Sequence, residues 1–167
     1  ETPSITQLNN IAAAAGVVTA SLAANSLSNL GALTTASTDQ ITITVNDDAA
    51  TNVNAEDLSA LGGKTAATVT VSNAVNIVGT TAQVTAALVT DDTKVIASTA
   101  TVALDDGETP TVSQLNDIAD ATDGVVTATL AAAALADLGA LAPESDDDIT
   151  ITVNDGQGDT LNAEDLS

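Results

Sequence analysis

Ile41-Thr42-Ile43-Thr44-Val45-Asn46-Asp47 is repeated letter for letter as Ile149-Thr150-Ile151-Thr152-Val153-Asn154-Asp155. The alternation of β-branched apolar residues with threonine has the period of a strand with one covered face. The surrounding sequence returns as well. Glu1–Ser59 and Glu108–Ser167 share about 37 identities over 59 positions when Asp123 is treated as an insertion, a period of about 107–108 residues. Residues 1–107 therefore form one full period and residues 108–167 the start of a second. Both termini fall inside a copy, as expected of an excerpt from a longer array.

Within the period, helical spacing alternates with strand spacing. Ile5, Leu8 and Ile11 recur as Val112, Leu115 and Ile118, which predicts helices over 4–15 and 111–122, with Gly16 and Gly124 as their stops. Strands are predicted at 17–22 and 125–130, at the two ITITV copies, at 67–72 with an extension toward Val78, and at 94–104. Short helices are predicted over 24–33, 131–141, 54–61 and 81–89, with Asn54 as an N-cap. Strict alternation of strand and helix implies parallel strands joined by right-handed crossovers. The expected fold class is therefore α/β: a repeat solenoid with one strand and one short helix per turn of roughly 24–31 residues. Four such turns would advance about 19 Å per period. The alternative is a string of ~107-residue domains, possibly immunoglobulin-like β-sandwiches, although alanine-rich helices such as 131–138 suit a sandwich poorly.

Composition narrows the function. The 167 residues include no Phe, Trp, Tyr, Met, Cys or His, and Lys64 and Lys94 are the only cations against 23 acidic residues, a formal charge of −21. A core without aromatics is thin and suits units that pack on their neighbours. Such charge opposes binding to nucleic acid or to an anionic membrane surface. No apolar run is long enough to span a bilayer, so no membrane insertion is expected in this segment. At 44% hydrophobic, with recurrent strands, the chain does not have the composition of a disordered one. No serine or threonine has a histidine to activate it, and no carboxylate pair stands out as acid and base, so an enzyme is not expected.

Two surfaces could bind something. The strands carry Thr-x-Thr pairs or near variants: Thr19/Ser21, Thr42/Thr44, Thr68/Thr70, Thr99/Thr101, Thr127/Thr129 and Thr150/Thr152. Paired threonines share a strand face and would stack into a two-column ladder, a hydroxyl surface suited to ice, glycans or another sheet. It would equally serve as the solvated face of a half-covered sheet. Acidic clusters mark the loops at Asp47-Asp48, Asp91-Asp92, Asp105-Asp106 with Glu108, and Asp146-Asp147-Asp148. Calcium is the cation such oxygen ligands suit, and Asp105, Asp106 and Glu108 around Gly107 are the best candidate ligands. Residues 155–161 approach the RTX nonapeptide but lack one position. The plainer role of these carboxylates is to keep an array soluble.

The phrases Leu115-Asn116-Asp117-Ile118-Ala119, Gly124-Val125-Val126-Thr127-Ala128-Thr129-Leu130 and Gly79-Thr80-Thr81-Ala82-Gln83-Val84-Thr85-Ala86-Ala87-Leu88 resemble a known kind of repeat. They are similar to the Ala/Thr/Val/Asp-rich tandem repeats of giant secreted or cell-surface bacterial proteins of the cyanobacterial type. The resemblance implies export, an extracellular setting, calcium-rich surroundings and no transferable site residue. The expected function is a non-enzymatic structural repeat segment of a long extracellular fibre, stalk or surface-layer/adhesin protein that self-associates along an array. A calcium-, glycan- or ice-binding module is the alternative.

Overall fold

The computed structural model describes residues 2–14, 16–90 and 93–155. It is an α/β fold of nine strands and six helices among those residues. The order is α1 (Ile5–Ala14), β1 (Thr19–Ser21), α2 (Leu27–Leu30), β2 (Gln40–Val45), β3 (Asn52–Asn54), α3 (Ala55–Gly62), β4 (Val69–Val71) and β5 (Asn76–Gly79). There follow α4 (Thr81–Leu88), β6 (Val95–Ile96), β7 (Thr101–Leu104), α5 (Val112–Ala119), β8 (Val126–Thr129), α6 (Leu135–Leu138) and β9 (Asp148–Thr150).

The strands form two open sheets, β1-β2-β4-β6 and β3-β5-β7-β8-β9, and neither closes into a barrel. Every pairing between named strands is parallel. An immunoglobulin-like sandwich is built of antiparallel sheets, so that alternative is corrected. The register is regular. Ile43 lies opposite Val69 and Val69 opposite Val95 in one sheet. Val53, Ile77, Val102 and Val126 form a continuous column in the other. All of these side chains are buried. Stacking β-branched residues of like size in one column fills the pleat without aromatics. Leu58 and Leu61 of α3, Val84 and Ala87 of α4, and Leu115 and Ile118 of α5 complete the same buried cluster.

One strand per helix was expected; the chain makes two in each of three successive units, β2/β3, β4/β5 and β6/β7. The single strand predicted over 67–78 is broken at Ser72-Asn73-Ala74, and that over 94–104 at the turn Ser98-Thr99. At the first break, Ser72 donates both its N–H and its hydroxyl to the Val45 carbonyl, and the Asn73 amide donates to the Asp47 carbonyl at 2.7 Å. These bonds reach 26–27 residues back along the chain. β3 was not anticipated, because three residues flanked by asparagine carry little pattern.

Helix starts agree closely with the sequence. Asn54 accepts from the Glu56 N–H, and capping boxes close α4 (Thr80 with Gln83) and α5 (Thr111 with Gln114). Ser4 and Gln7 exchange the same reciprocal pair of bonds before α1. Helix ends agree less well. α5 stops at Ala119 with Asp120 as its C-cap, so Gly124 is not the helix stop it was read as. Alanine-rich 24–33 and 131–141 shrink to single turns, α2 and α6.

The sequence repeat is also a repeat of hydrogen bonds. The Val18 and Ala36 N–H groups donate to the Asp39 carboxylate at 2.8 Å each; Val126 and Glu144 donate to Asp147 at 2.7 and 2.9 Å. The Asn9 amide donates to the Ala32 carbonyl and that of Asn116 to Ala140. The pairing of β1 with β2 (Ala20 opposite Ile41) recurs as β8 with β9 (Ala128 opposite Ile149). Yet the two copies occupy different sheets: β1 belongs to the four-stranded one, β8 to the five-stranded one, where it lies beside β7.

Candidate functional surfaces

The threonines do not make one ladder. In the first sheet Thr44 stands opposite Thr70, which stands opposite Ile96, and Ser21 stands opposite Thr42. Thr68 precedes β4. Thr42, Thr68 and Thr70 are exposed and Thr44 is half-buried. Thr101, Thr127, Thr129 and Thr150 belong to the second sheet. Thr99 lies in the turn before β7, and Thr152 lies beyond β9. The columns are interrupted by other side chains. Thr127 faces Ala103 on one side and Asp148 on the other.

The second sheet carries a polar column that the sequence did not advertise. Asn52, Asn76 and Thr101 stand in register. The Asn76 amide donates to Asn52 Oδ1 at 2.8 Å, and the Thr101 hydroxyl donates to Asn76 Oδ1 at 3.1 Å. Their spacing of 24–25 residues was the available signal.

A further set of polar side chains acts at the corners between helix and strand. The Thr65 hydroxyl is buried, accepts from the N–H groups of Ile41 and Ala67 at 2.9 Å each, and donates to the Ile41 carbonyl at 2.7 Å. Thr122 accepts from Gly124 N–H and donates to the Ala100 carbonyl. Thr93 accepts from Val95 N–H and donates to the Ala87 carbonyl, tying the strand to the helix before it. In each case the hydroxyl accepts from the residue two positions on, the local bond that makes threonine a turn residue. A lone threonine between helix end and strand, at Lys64-Thr65, Asp92-Thr93 and Ala121-Thr122, was the signal for it.

The acidic loops divide in the same way. Asp39, which belongs to no acidic cluster, is 3% exposed and holds two backbone N–H groups. Asp147 holds two more, and Asp47 accepts from Leu27 N–H at 2.7 Å. Asp105 and Asp106 are exposed, whereas Glu108 turns its carboxylate to the Thr81 N–H at 2.8 Å, at the start of α4. Among the described residues no three acidic side chains converge in a way that could hold a metal ion. Asp105, Asp106 and Glu108 are thus not assembled as a calcium site. The Asp91-Asp92 cluster and the RTX-like stretch after Asp155 lie outside the described residues.

A surface cleft of about 490 Å³ is lined by Leu27, Asp47, Asn54, Asp57, Leu61 and Lys64 among others. Two of its charged groups are bonded to backbone: Lys64 Nζ donates to the Gly31 carbonyl at 2.7 Å, and Asp47 accepts from the Leu27 N–H. No described helix is long and apolar enough to cross a membrane. Comparison with protein-family models, with curated proteins and with solved structures finds no match to this chain.

Proposed function

We propose that this chain is a non-enzymatic structural repeat segment, an α/β solenoid whose coils of strand, strand and helix stack to extend a long extracellular fibre, stalk or surface layer. The observation that carries this reading is the duplicated set of backbone–carboxylate bonds at Asp39 and Asp147, together with the same strand register in both copies. Polar side chains here serve mainly to fasten one segment of backbone to another. Parallel pairing with offsets of 21–26 residues is what successive coils require, each adding about 4.8 Å along the axis. The extracellular setting is supported by the likeness of the repeat phrases to those of giant surface proteins. Self-association along the array is the partner relationship this reading carries.

Electron microscopy of a chain holding three consecutive periods tests it. Rods of uniform width that lengthen in proportion to the number of periods are expected. Separate globules joined by flexible links would overturn it.

A further inference from the structure

The two copies of the α1–β1 unit have the same sequence pattern but different surroundings. Ile118 of α5 is fully buried, while its counterpart Ile11 of α1 is 49% exposed. Val125 is half-buried, while its counterpart Val17 is 65% exposed. A β-carbon on Gly124 would collide with the Ala100 carbonyl and lie 3.1 Å from the Thr101 nitrogen, whereas at Gly16, its counterpart, none of the described residues stands within 4 Å. What covers the second copy is known: α4 packs on α5, β7 pairs with β8, and the Val102 N–H donates to the Val125 carbonyl at 2.9 Å.

We infer that the face formed by Ile11, Gly16, Val17 and the free edge of β1 is a docking surface for the α4–β7 segment of a preceding period, in the register Val102 opposite Val18. This rests on the stacked-coil reading above and specifies how one period joins the next. Its occupant is a segment equivalent to residues 81–104, because that is what the same surface holds 107–108 residues later. Glycine at 16 is then explained by the neighbour's carbonyl, as it is at 124; in open space it has no steric purpose. The consequence for architecture is a handover. The second sheet of one period becomes the first sheet of the next, as β7 passes to β8 and β9 here. The corner hydroxyl of Thr122 is not part of the shared surface, since Ala15 occupies that place.

The test is a chain in which residues 1–107 are duplicated ahead of Glu1, compared with the original chain. Gly16→Ala in the downstream copy is expected to lower the melting temperature by about 5 °C or more, and the same substitution in the original chain to leave it nearly unchanged. Hydrogen exchange over residues 16–21 of the downstream copy should slow relative to the original chain. Equal, small effects of Gly16→Ala in both chains would overturn the inference, as would fast exchange over 16–21 in the duplicated chain, whether or not the added copy folds. Gly124→Ala in the original chain separates the two levels of the argument. If it destabilises while Gly16→Ala stays silent in the duplicated chain, only the docking surface fails. If Gly124→Ala is itself harmless, the stacked-coil reading fails with it.

Discussion

The hydroxyl of Thr65 is bonded to both ends of one residue, Ile41, accepting from its N–H at 2.9 Å and donating to its carbonyl at 2.7 Å. Ile41 is the second residue of β2, and Thr65 sits at the corner leading to β4, so one side chain fastens consecutive strands of the sheet ahead of their first ladder pair, Ile43 with Val69. Thr65→Val keeps the shape and takes the acceptor from the buried N–H of Ile41 and the half-buried N–H of Ala67. Each such loss costs about 1–3 kcal/mol, so denaturant titration should show a loss of roughly 2–4 kcal/mol. Thr65→Ser should retain most of the stability.

Asp39 separates structural carboxylates from solvating ones. Asp39→Ala strands the N–H groups of Val18 and Ala36 and should destabilise by about 2–4 kcal/mol. Asp48, exposed in a loop, should tolerate alanine within about 0.5 kcal/mol. Thermal or chemical unfolding of the two variants side by side checks this, and equal effects would contradict the assignment.

Gly79 closes β5 against the capping box of α4. A β-carbon there would lie 2.9 Å from Gln83 Oε1 and 3.3 Å from the Ala55 β-carbon. Gly79→Ala should push Gln83 off the Thr80 N–H and strain the backbone at its φ of +157°, costing about 1–2 kcal/mol for the cap and more for the strain. Gln83→Ala alone should cost less, and the double substitution less than the sum, since both act on one bond.

Thr81 and Thr85, one turn apart on α4, bury hydroxyl oxygens that have no hydrogen-bond partner among the described residues. Thr81→Val replaces such a group by a methyl of similar size. It should raise stability by up to about 1 kcal/mol, read from the denaturation midpoint, because an unsatisfied buried hydroxyl is a net cost.

With a formal charge of −21, repulsion among carboxylates opposes the folded state, and salt screens it. The melting temperature should rise steadily with sodium chloride. Calcium and magnesium at equal ionic strength should act alike, since no three described carboxylates converge on one point. A saturable step seen with calcium alone would contradict this.

Parallel sense and α/β alternation were legible because Leu8 and Leu115 keep helical spacing while Ile41, Ile43 and Val45 alternate with threonine. Helix starts were legible wherever a cap is local, as at Asn54 with Glu56. The break of the 67–78 segment was hidden because its cause is distant: Ser72 and Asn73 turn the chain by bonding to Val45 and Asp47. The three acidic side chains of the 105–108 loop do not converge, for a related reason. Glu108 follows Asp105-Asp106 in sequence, but its carboxylate serves the backbone of α4, 27 residues earlier.

By itself the sequence determined the inward face of β2, where Ile41, Ile43 and Val45 are buried, and that the pattern recurs at about 107–108 residues; in the second copy Ile151 and Val153 are exposed. A period of two settles the face of a strand without reference to anything else. Only the tertiary structure decided which sheet each strand joins. The unit Val125–Thr129 repeats Val17–Ser21 almost letter for letter, yet it lies beside β7 where its counterpart has an open edge. A strand's edge bonds are made by backbone that every residue shares. What fills the edge is therefore decided by which strand the rest of the fold brings beside it, and the side chains of the strand do not encode it.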